Sequence, residues 1–389
     1  MSKPQAANQA HVETAAVHGE GRVEHQYGDV AMPLHFTVNF EYETLESTRG
    51  PFGYSRHRHP TREQAEAAIA AVEGSAHALL LASGVAAIDV VLRGLKAGDH
   101  IVADDDLFGG TYALLERLYR PVGVEIAYVN LSAGPDALSA ALRPNTKFVL
   151  LETPTNPFMR IVDIAAVAAA AHRVGAAVVV DNTFATPVLQ RPLEWGADLV
   201  VYSTTKYFSG HSDMMGGAIM MNDKAAYERL KYVQYAAGAV PSAFDCWLLA
   251  RSIKTLAVRV ERQCGNAAAI AALLARHPAV ETLYFPGLES HPGHATAKRQ
   301  MRDFGAMMSF VPRGGIEVAR LIYDRVRLFT RASSLGAVES LIVAPIAGPH
   351  IGRAGTDNAP PAHLLRLSVG IEHVDDLLAD LRNALGGAA

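Results

Sequence analysis

Three short stretches carry residue types that could do chemistry together. One is Tyr202-Ser203-Thr204-Thr205-Lys206-Tyr207-Phe208-Ser209-Gly210-His211-Ser212-Asp213, which sets a lysine just after an apolar run. An amine forms an imine only through its unprotonated fraction, which desolvation and nearby cations enlarge. A lone lysine in such a place is ordinarily a surface residue. Here Ser203 and Thr205 flank it with hydroxyls suited to phosphate oxygens, and Gly210-His211 follows, which makes the arrangement far more specific. A second stretch, Val178-Val179-Val180-Asp181, ends an apolar run on a carboxylate. Burying an unpaired carboxylate is costly, so Asp181 asks for a cationic partner. A protonated pyridine nitrogen is one such partner, and an aspartate here could also simply cap the next turn. The third stretch, Leu81-Ala82-Ser83-Gly84-Val85, reads as a strand turning into a helix. Backbone N–H groups at a helix start form an anion site, and Gly84 lets a phosphate approach closely. An imine-forming amine, a ring-nitrogen partner and a phosphate cradle together point to pyridoxal 5'-phosphate (PLP), with Lys206 as the residue that holds it.

These stretches need a scaffold that brings strand ends together. Between about residues 61 and 223 the chain alternates short β-branched runs with Ala-rich helical segments. The runs are 77–82, 100–103, 125–129, 147–151, 176–180, 198–202 and 217–221, with helical patterns at 85–95, 111–119 and 164–174. Near-continuous apolar strands separated by helices predict an α/β fold, a mostly parallel central sheet with helices on both faces. Ligands on such sheets sit at the carboxyl ends of the strands, where Asp181 and Lys206 fall. Beyond residue 223 the pattern predicts a smaller α+β domain. It has a long helix over 244–276, strands at 307–311 and 341–343, and helices at 316–323 and 373–385. The expected division is an N-terminal arm over 1–60, a PLP-binding domain over 61–243 and a C-terminal domain over 244–389. The stretch 345–361, rich in Gly, Pro and Ala, reads as a loop over something.

Bulk properties narrow the class without naming a function. With 389 residues, half of them hydrophobic, the chain is long enough for two domains. A formal net charge of −4 gives no reason to expect nucleic acid or an anionic membrane as partner. No apolar run approaches the roughly 20 residues of a membrane span, and residues 1–20 lack the apolar core of a secretion signal. A soluble cytoplasmic protein is expected. Cys246 and Cys264 have no metal-site spacing and read as packing residues, and no metal site is expected. His18, His25, His291 and His294 show no helical His-x-x-x-His spacing and read as surface.

From about residue 54 to residue 385 the chain resembles the Cys/Met-metabolism family of PLP enzymes. That group includes cystathionine γ-synthase, cystathionine γ- and β-lyases, methionine γ-lyase and the homoserine-ester sulfhydrylases. The resemblance rests on Tyr54-Ser55-Arg56, Ser83-Gly84-Val85-Ala86-Ala87, Glu152-Thr153-Pro154-Thr155-Asn156-Pro157, Val180-Asp181-Asn182-Thr183, the Lys206 segment, Ser334-Leu335-Gly336 and Arg366-Leu367-Ser368-Val369-Gly370. It implies PLP-dependent fold type I and roles for individual residues. Lys206 would form the internal aldimine and, once released by substrate, move protons at Cα and Cβ. Asp181 would pair with the pyridine nitrogen, supported by Thr183. The phosphate would be held by the Gly84 and Val85 amides with Ser203 and Thr205. Tyr54 and Arg56 would reach the phosphate of a neighbouring subunit, making the protein a homo-oligomer, a dimer of dimers with shared active sites. Asn156 would bond near the ring hydroxyl or the substrate carboxylate. Arg366 would clamp the α-carboxylate, as a planar guanidinium can, with Ser334 beside it. Glu339 keeps a position associated in relatives with steering γ- against β-chemistry.

Three departures from the family pattern stand out. Asp106-Leu107-Phe108-Gly109-Gly110-Thr111-Tyr112 puts Phe108 where the family carries a tyrosine stacked on the cofactor ring. Phenylalanine stacks but moves no proton, so that acid–base duty is lost or moved elsewhere. Either the exchange is neutral because Lys206 does the work, or Tyr112, one helical turn later, compensates. His59 replaces an asparagine, as a packing exchange or with Arg58 as a contact to a substrate tail. The loop 344–362 differs from the usual substrate-mouth segment, with His350 and Arg353 as candidate specificity residues. The function expected is γ-elimination or γ-replacement on an L-homoserine- or homocysteine-type amino acid, through an external aldimine and a vinylglycine intermediate. An oxygen leaving group, from an acyl-homoserine or canavanine, is a variant of this. β-Elimination from cystathionine or cysteine, an aminotransferase on the same fold, and a PLP-binding protein that has lost its activity are the alternatives.

Overall fold

The structure, a computed structural model, describes residues 10–19, 27–345 and 359–386. His25, His350 and Arg353 lie outside the described residues. The chain is mixed α/β, built around a large central sheet and a smaller second one. Strands of the large sheet are β1 (His77–Leu81), β2 (His100–Asp104), β3 (Glu125–Val129), β4 (Thr146–Glu152), β5 (Ala177–Asp181), β6 (Leu199–Tyr202) and β7 (Gly217–Met221). Those of the smaller sheet are β8 (Val280–Tyr284), β9 (Met307–Pro312), β10 (Thr330–Arg331), β11 (Leu341–Val343) and β12 (Leu365–Ser368). Two compact units are formed, each from two stretches of chain. The first takes the described residues up to Gly94 with Asp198–Ala257, the second Leu95–Ala197 with the described residues from Val258 on.

In the first unit β7 pairs antiparallel with both β1 and β6. Alternating hydropathy cannot reveal this reversal, because a buried strand reads the same in either direction. Every residue of β6 and β7 is buried, as expected of strands covered on both faces. The Pro60–Glu73 helix packs beside β1, and its Glu66 accepts a hydrogen bond from the Leu80 N–H at 3.0 Å. Gln234, from the Lys224–Ala237 helix, donates to the Leu80 carbonyl at 2.6 Å, closing a polar junction inside an apolar layer.

In the second unit β5, β4, β2 and β3 run parallel in that order. Their carboxyl ends carry Asp104, Glu152 and Asp181 side by side in the sheet order. The smaller sheet orders its strands β10-β11-β12-β9-β8, so β12 is central and antiparallel to both neighbours. Its Arg366 is 2% exposed. The helix expected over 244–276 is two helices, Ala243–Ile253 and Leu256–Leu274. The break comes where the Thr255 hydroxyl and N–H both turn back to the Ser252 carbonyl, a side-chain bond that competes with the helical ladder. The helix expected over 111–119 is α-helical only over Gly109–Leu114 and widens to a π-helical turn at Leu115–Tyr119.

Candidate active site

In the first unit β1 ends at Leu81, and the Gly84–Leu92 helix starts three residues later. Ser83 caps it by accepting from the Ala86 N–H at 3.1 Å. The helix cannot use its own first-turn N–H groups, so those of Gly84 and Val85 could donate to a ligand. A Cβ on Gly84 would lie 2.8 Å from Ser203 Cβ and 3.0 Å from its Cα. The turn is therefore pressed against the chain leaving β6, and only a residue without a side chain fits. Lys206 follows in a tight turn whose N–H donates to the Ser203 carbonyl at 3.1 Å and whose carbonyl accepts from Gly210 at 2.8 Å. Thr205 closes that turn: its hydroxyl donates to the Gly216 carbonyl and accepts from the Gly216 N–H, at 3.2 and 3.0 Å. Gly84, Val85, Ser203, Thr205 and Lys206 thus belong to one neighbourhood at one end of β1 and β6.

Tyr54 and Arg56 belong to the same unit. Tyr54 is 45% exposed, and the Arg56 guanidinium lies 5.5 Å from its ring centroid and 4.6 Å from that of Tyr235. Arg56 also donates to the Tyr235 carbonyl at 3.0 Å. Within one chain, then, Arg56 is held between two aromatic faces. His59 is 3% exposed and sits edge-on to Phe40, 6.2 Å between ring centroids, and burial holds its pKa below the ordinary imidazole value. A buried neutral imidazole fits the packing exchange better than a contact to a substrate tail.

The second unit holds the other anticipated residues. Asp181 closes β5 and accepts from the Thr183 N–H at 3.0 Å. The chain after it is fixed by buried amides that sequence reading missed. Asn182 donates to the Gln190 carbonyl, Gln190 donates to Asn182 Oδ1 and the Thr153 carbonyl, and Gln300 donates to Gln190 Oε1. No residue motif announces Gln190 or Gln300, because a buried amide is spelled like an exposed one.

Arg366 donates to Asn156 Oδ1 at 2.7 Å and to the Ser334 carbonyl at 2.9 Å. Ser334 offers that carbonyl by adopting φ 82°, a left-handed conformation that costs a serine roughly 1–3 kcal/mol and is typical of functional sites. Ser309, paired with Arg366 in the sheet, donates to the Pro157 carbonyl at 2.8 Å and so ties the Asn156 loop to the arginine. Three anticipated substrate residues are therefore physically joined. Glu339 is exposed on the bend before β11.

Phe108 starts the Gly109–Leu114 helix. Its ring covers Gly110, where a Cβ would fall 2.4 Å from a ring carbon. Its N–H donates to Glu152 Oε1 at 2.6 Å. Tyr112 packs against Tyr128, 5.3 Å between centroids, on the edge strand β3, which gives it a packing role rather than the missing acid. Among the described residues no cluster of His, Cys, Asp and Glu is arranged to hold a metal ion. Burial drives both cysteine thiols upward, Cys264 to about 12, which leaves them unreactive.

A family model for Cys/Met metabolism PLP-dependent enzymes matches residues 13–386. The chain is 46% identical over 374 residues to a cystathionine γ-synthase of Mycobacterium tuberculosis, covering 96% of each protein. It is 41% identical over 388 residues to a cystathionine γ-lyase of Dictyostelium discoideum, covering 99% of each. Among solved structures, metB from Corynebacterium glutamicum superposes with a TM-score of 0.96 at 42% identity, over 98% of this chain and all of that one. The chain therefore belongs to the Cys/Met-metabolism family of PLP-dependent enzymes, with their fold type I architecture. It is a PLP-dependent enzyme of amino-acid metabolism, and its chemistry is elimination or replacement at the β or γ carbon of an amino acid.

Proposed function

We propose that this enzyme eliminates or replaces the γ-substituent of an L-homoserine- or homocysteine-type amino acid, breaking a carbon–sulfur or carbon–oxygen bond at Cγ. The observation that carries the reading is the buried Arg366, preorganised by Asn156 and Ser334. A fixed guanidinium orients an α-carboxylate through paired hydrogen bonds and so sets the direction of the rest of the substrate. Similarity to a γ-synthase and a γ-lyase along almost the whole chain supports the γ position.

Each unit by itself offers groups suited to PLP. The Gly84 turn has no room for a side chain and presents the phosphate donors, Gly84 and Val85 N–H, with Ser203 alongside. Asp181 supplies the carboxylate for the ring nitrogen, steadied by Thr183. When bound, PLP supplies an electron sink that makes the Cα and Cβ protons removable. Lys206 would hold the cofactor, and its amine, when free, would move protons at Cα and Cβ. Arg366 keeps the carboxylate still while this happens. Phe108 would lie against the cofactor without exchanging protons, which would leave nearly all the proton traffic to Lys206. Tyr54 and Arg56 complete the phosphate site of a neighbouring copy, in a cytoplasmic dimer of dimers.

Phe108 also favours a particular kind of leaving group. One that departs as a weak base needs no acid from the enzyme, so an oxygen leaving group, as in an acyl-homoserine or canavanine, suits this site. Turnover on homoserine esters, homocysteine thioethers, cystathionine and canavanine, with products identified, tests the reading. 2-Oxobutyrate, homoserine or a Cγ-replacement product is expected, and Phe108→Tyr should broaden the range toward thioethers. Pyruvate from cystathionine as the main product would mean β-elimination, and no product from any of them would mean a binding protein without activity. Borohydride reduction should fix the cofactor to the peptide containing Lys206; label elsewhere refutes the lysine assignment.

A further inference from the structure

Glu152 stands at the end of β4, directly in register with Asp181 at the end of β5. It is 5% exposed. Its Oε1 accepts the Phe108 N–H at 2.6 Å, and no ion pair with Lys, Arg or His is described for it. Two carboxylates in register at neighbouring strand ends, one buried and one half-buried, do not both ionise at modest cost. Asp181 is the one required as an anion if it is to hold a protonated ring nitrogen, so the proton belongs on its neighbour.

We propose that Glu152 is a positioning residue in its neutral form. It accepts the Phe108 N–H, and so fixes the Phe108 loop, while leaving the negative charge to Asp181. This rests on the reading that Asp181 and Phe108 face the cofactor. Apart from the Phe108 N–H, the influences around Glu152 push the same way. Burial is the largest influence holding its carboxyl well above the usual carboxylate range, followed by the charge of Asp181, with Asp106 and Asp104 adding to it. The Phe108 N–H alone pulls in the other direction among the main influences. Thr155 anchors the same loop from a second point, its hydroxyl donating to Asp106 Oδ2 at 2.6 Å. Held at the Phe108 N–H and at the Asp106 side chain, the loop leaves the Phe108 ring little freedom to drift.

A neutral acceptor has a neutral isostere, which makes the idea testable. In Glu152→Gln the amide oxygen can accept the same N–H, whereas Glu152→Ala removes the acceptor. Each variant is prepared as holoenzyme and as apoprotein. The readouts are the PLP dissociation constant, the visible absorbance and circular dichroism of the bound chromophore against pH, and the thermal midpoint of the apoprotein. Glu152→Gln is expected to bind PLP within about threefold of the parent with the same chromophore titration, and Glu152→Ala to lose roughly tenfold or more in affinity, about 1.4 kcal/mol. The alanine variant's chromophore dichroism should change as well. If glutamine loses as much as alanine, the charge matters and Glu152 is ionised. If alanine binds and titrates like the parent, the Phe108 bond positions nothing. Either result overturns the proposal. Phe108→Ala separates the two layers of the argument: an unchanged chromophore spectrum there would refute the placement of Phe108 over the cofactor, whatever Glu152 does.

Discussion

Arg366 illustrates how much work single residues do here. An arginine 2% exposed on a central strand would be a liability if unpartnered. Asn156 and the turned carbonyl of Ser334 meet part of its hydrogen-bonding need, and a substrate carboxylate would meet more. Arg366→Lys keeps the charge and loses the planar fork, so KM for the amino acid should rise on the order of 10²-fold with a smaller change in kcat. Steady-state kinetics check this; a fall in kcat at constant KM would instead mean that the guanidinium acts after binding. The arginine and Asn156 are legible in the sequence as parts of motifs. Their union is not, because 210 positions separate them and a strand register brings them together.

At the scale of elements, the strand-to-helix turn at Ser83-Gly84 is the most constrained feature. Glycine is needed there for lack of space: the added Cβ would overlap backbone as well as side chain of Ser203. Gly84→Ala should therefore push the turn and the Ser203 chain apart, weakening PLP binding by tenfold or more, on the order of 1.4 kcal/mol. Ser83→Ala removes only a cap and should cost about 1 kcal/mol of stability with a smaller effect on the cofactor. Reconstitution titrations together with denaturation curves distinguish the two outcomes. Most strands and several helices of this framework were legible from apolar runs, since burial on both faces leaves a compositional mark. The Pro60–Glu73 and Lys224–Ala237 helices were missed, as was the break at Thr255. Their cues are mixed polarity and one hydroxyl's choice of partner, which a hydrophobic period does not register.

For the molecule as a whole, buried acids make stability depend on pH. Glu66, buried between the Pro60–Glu73 helix, β1 and Gln234, has its pKa pushed up from 4.5 to about 7, chiefly by burial and despite Arg62 nearby. A folded-state pKa above the unfolded one favours the fold fully below about pH 4.5. That contribution fades as pH rises through about 7, with a full span on the order of 3 kcal/mol. Glu66→Gln should flatten this part of the profile, narrowing the stability difference between pH 5 and pH 8 in chemical denaturation. An unchanged difference would mean that Glu66 is ionised in the native protein throughout. No helix among the described residues is long and apolar enough to cross a membrane.

The cofactor and the α/β class were determined by sequence alone, because lysine, aspartate and the Ser-Gly turn each follow a strand and their chemistry admits few common ligands. Tertiary structure decided which of these groups support one another. Only there does Thr205 close the lysine turn, Ser334 spend a strained φ on Arg366, and Glu152 come into register with Asp181. Such relations depend on strand pairing and burial, which turn distant positions into neighbours and raise the cost of every charge left between them.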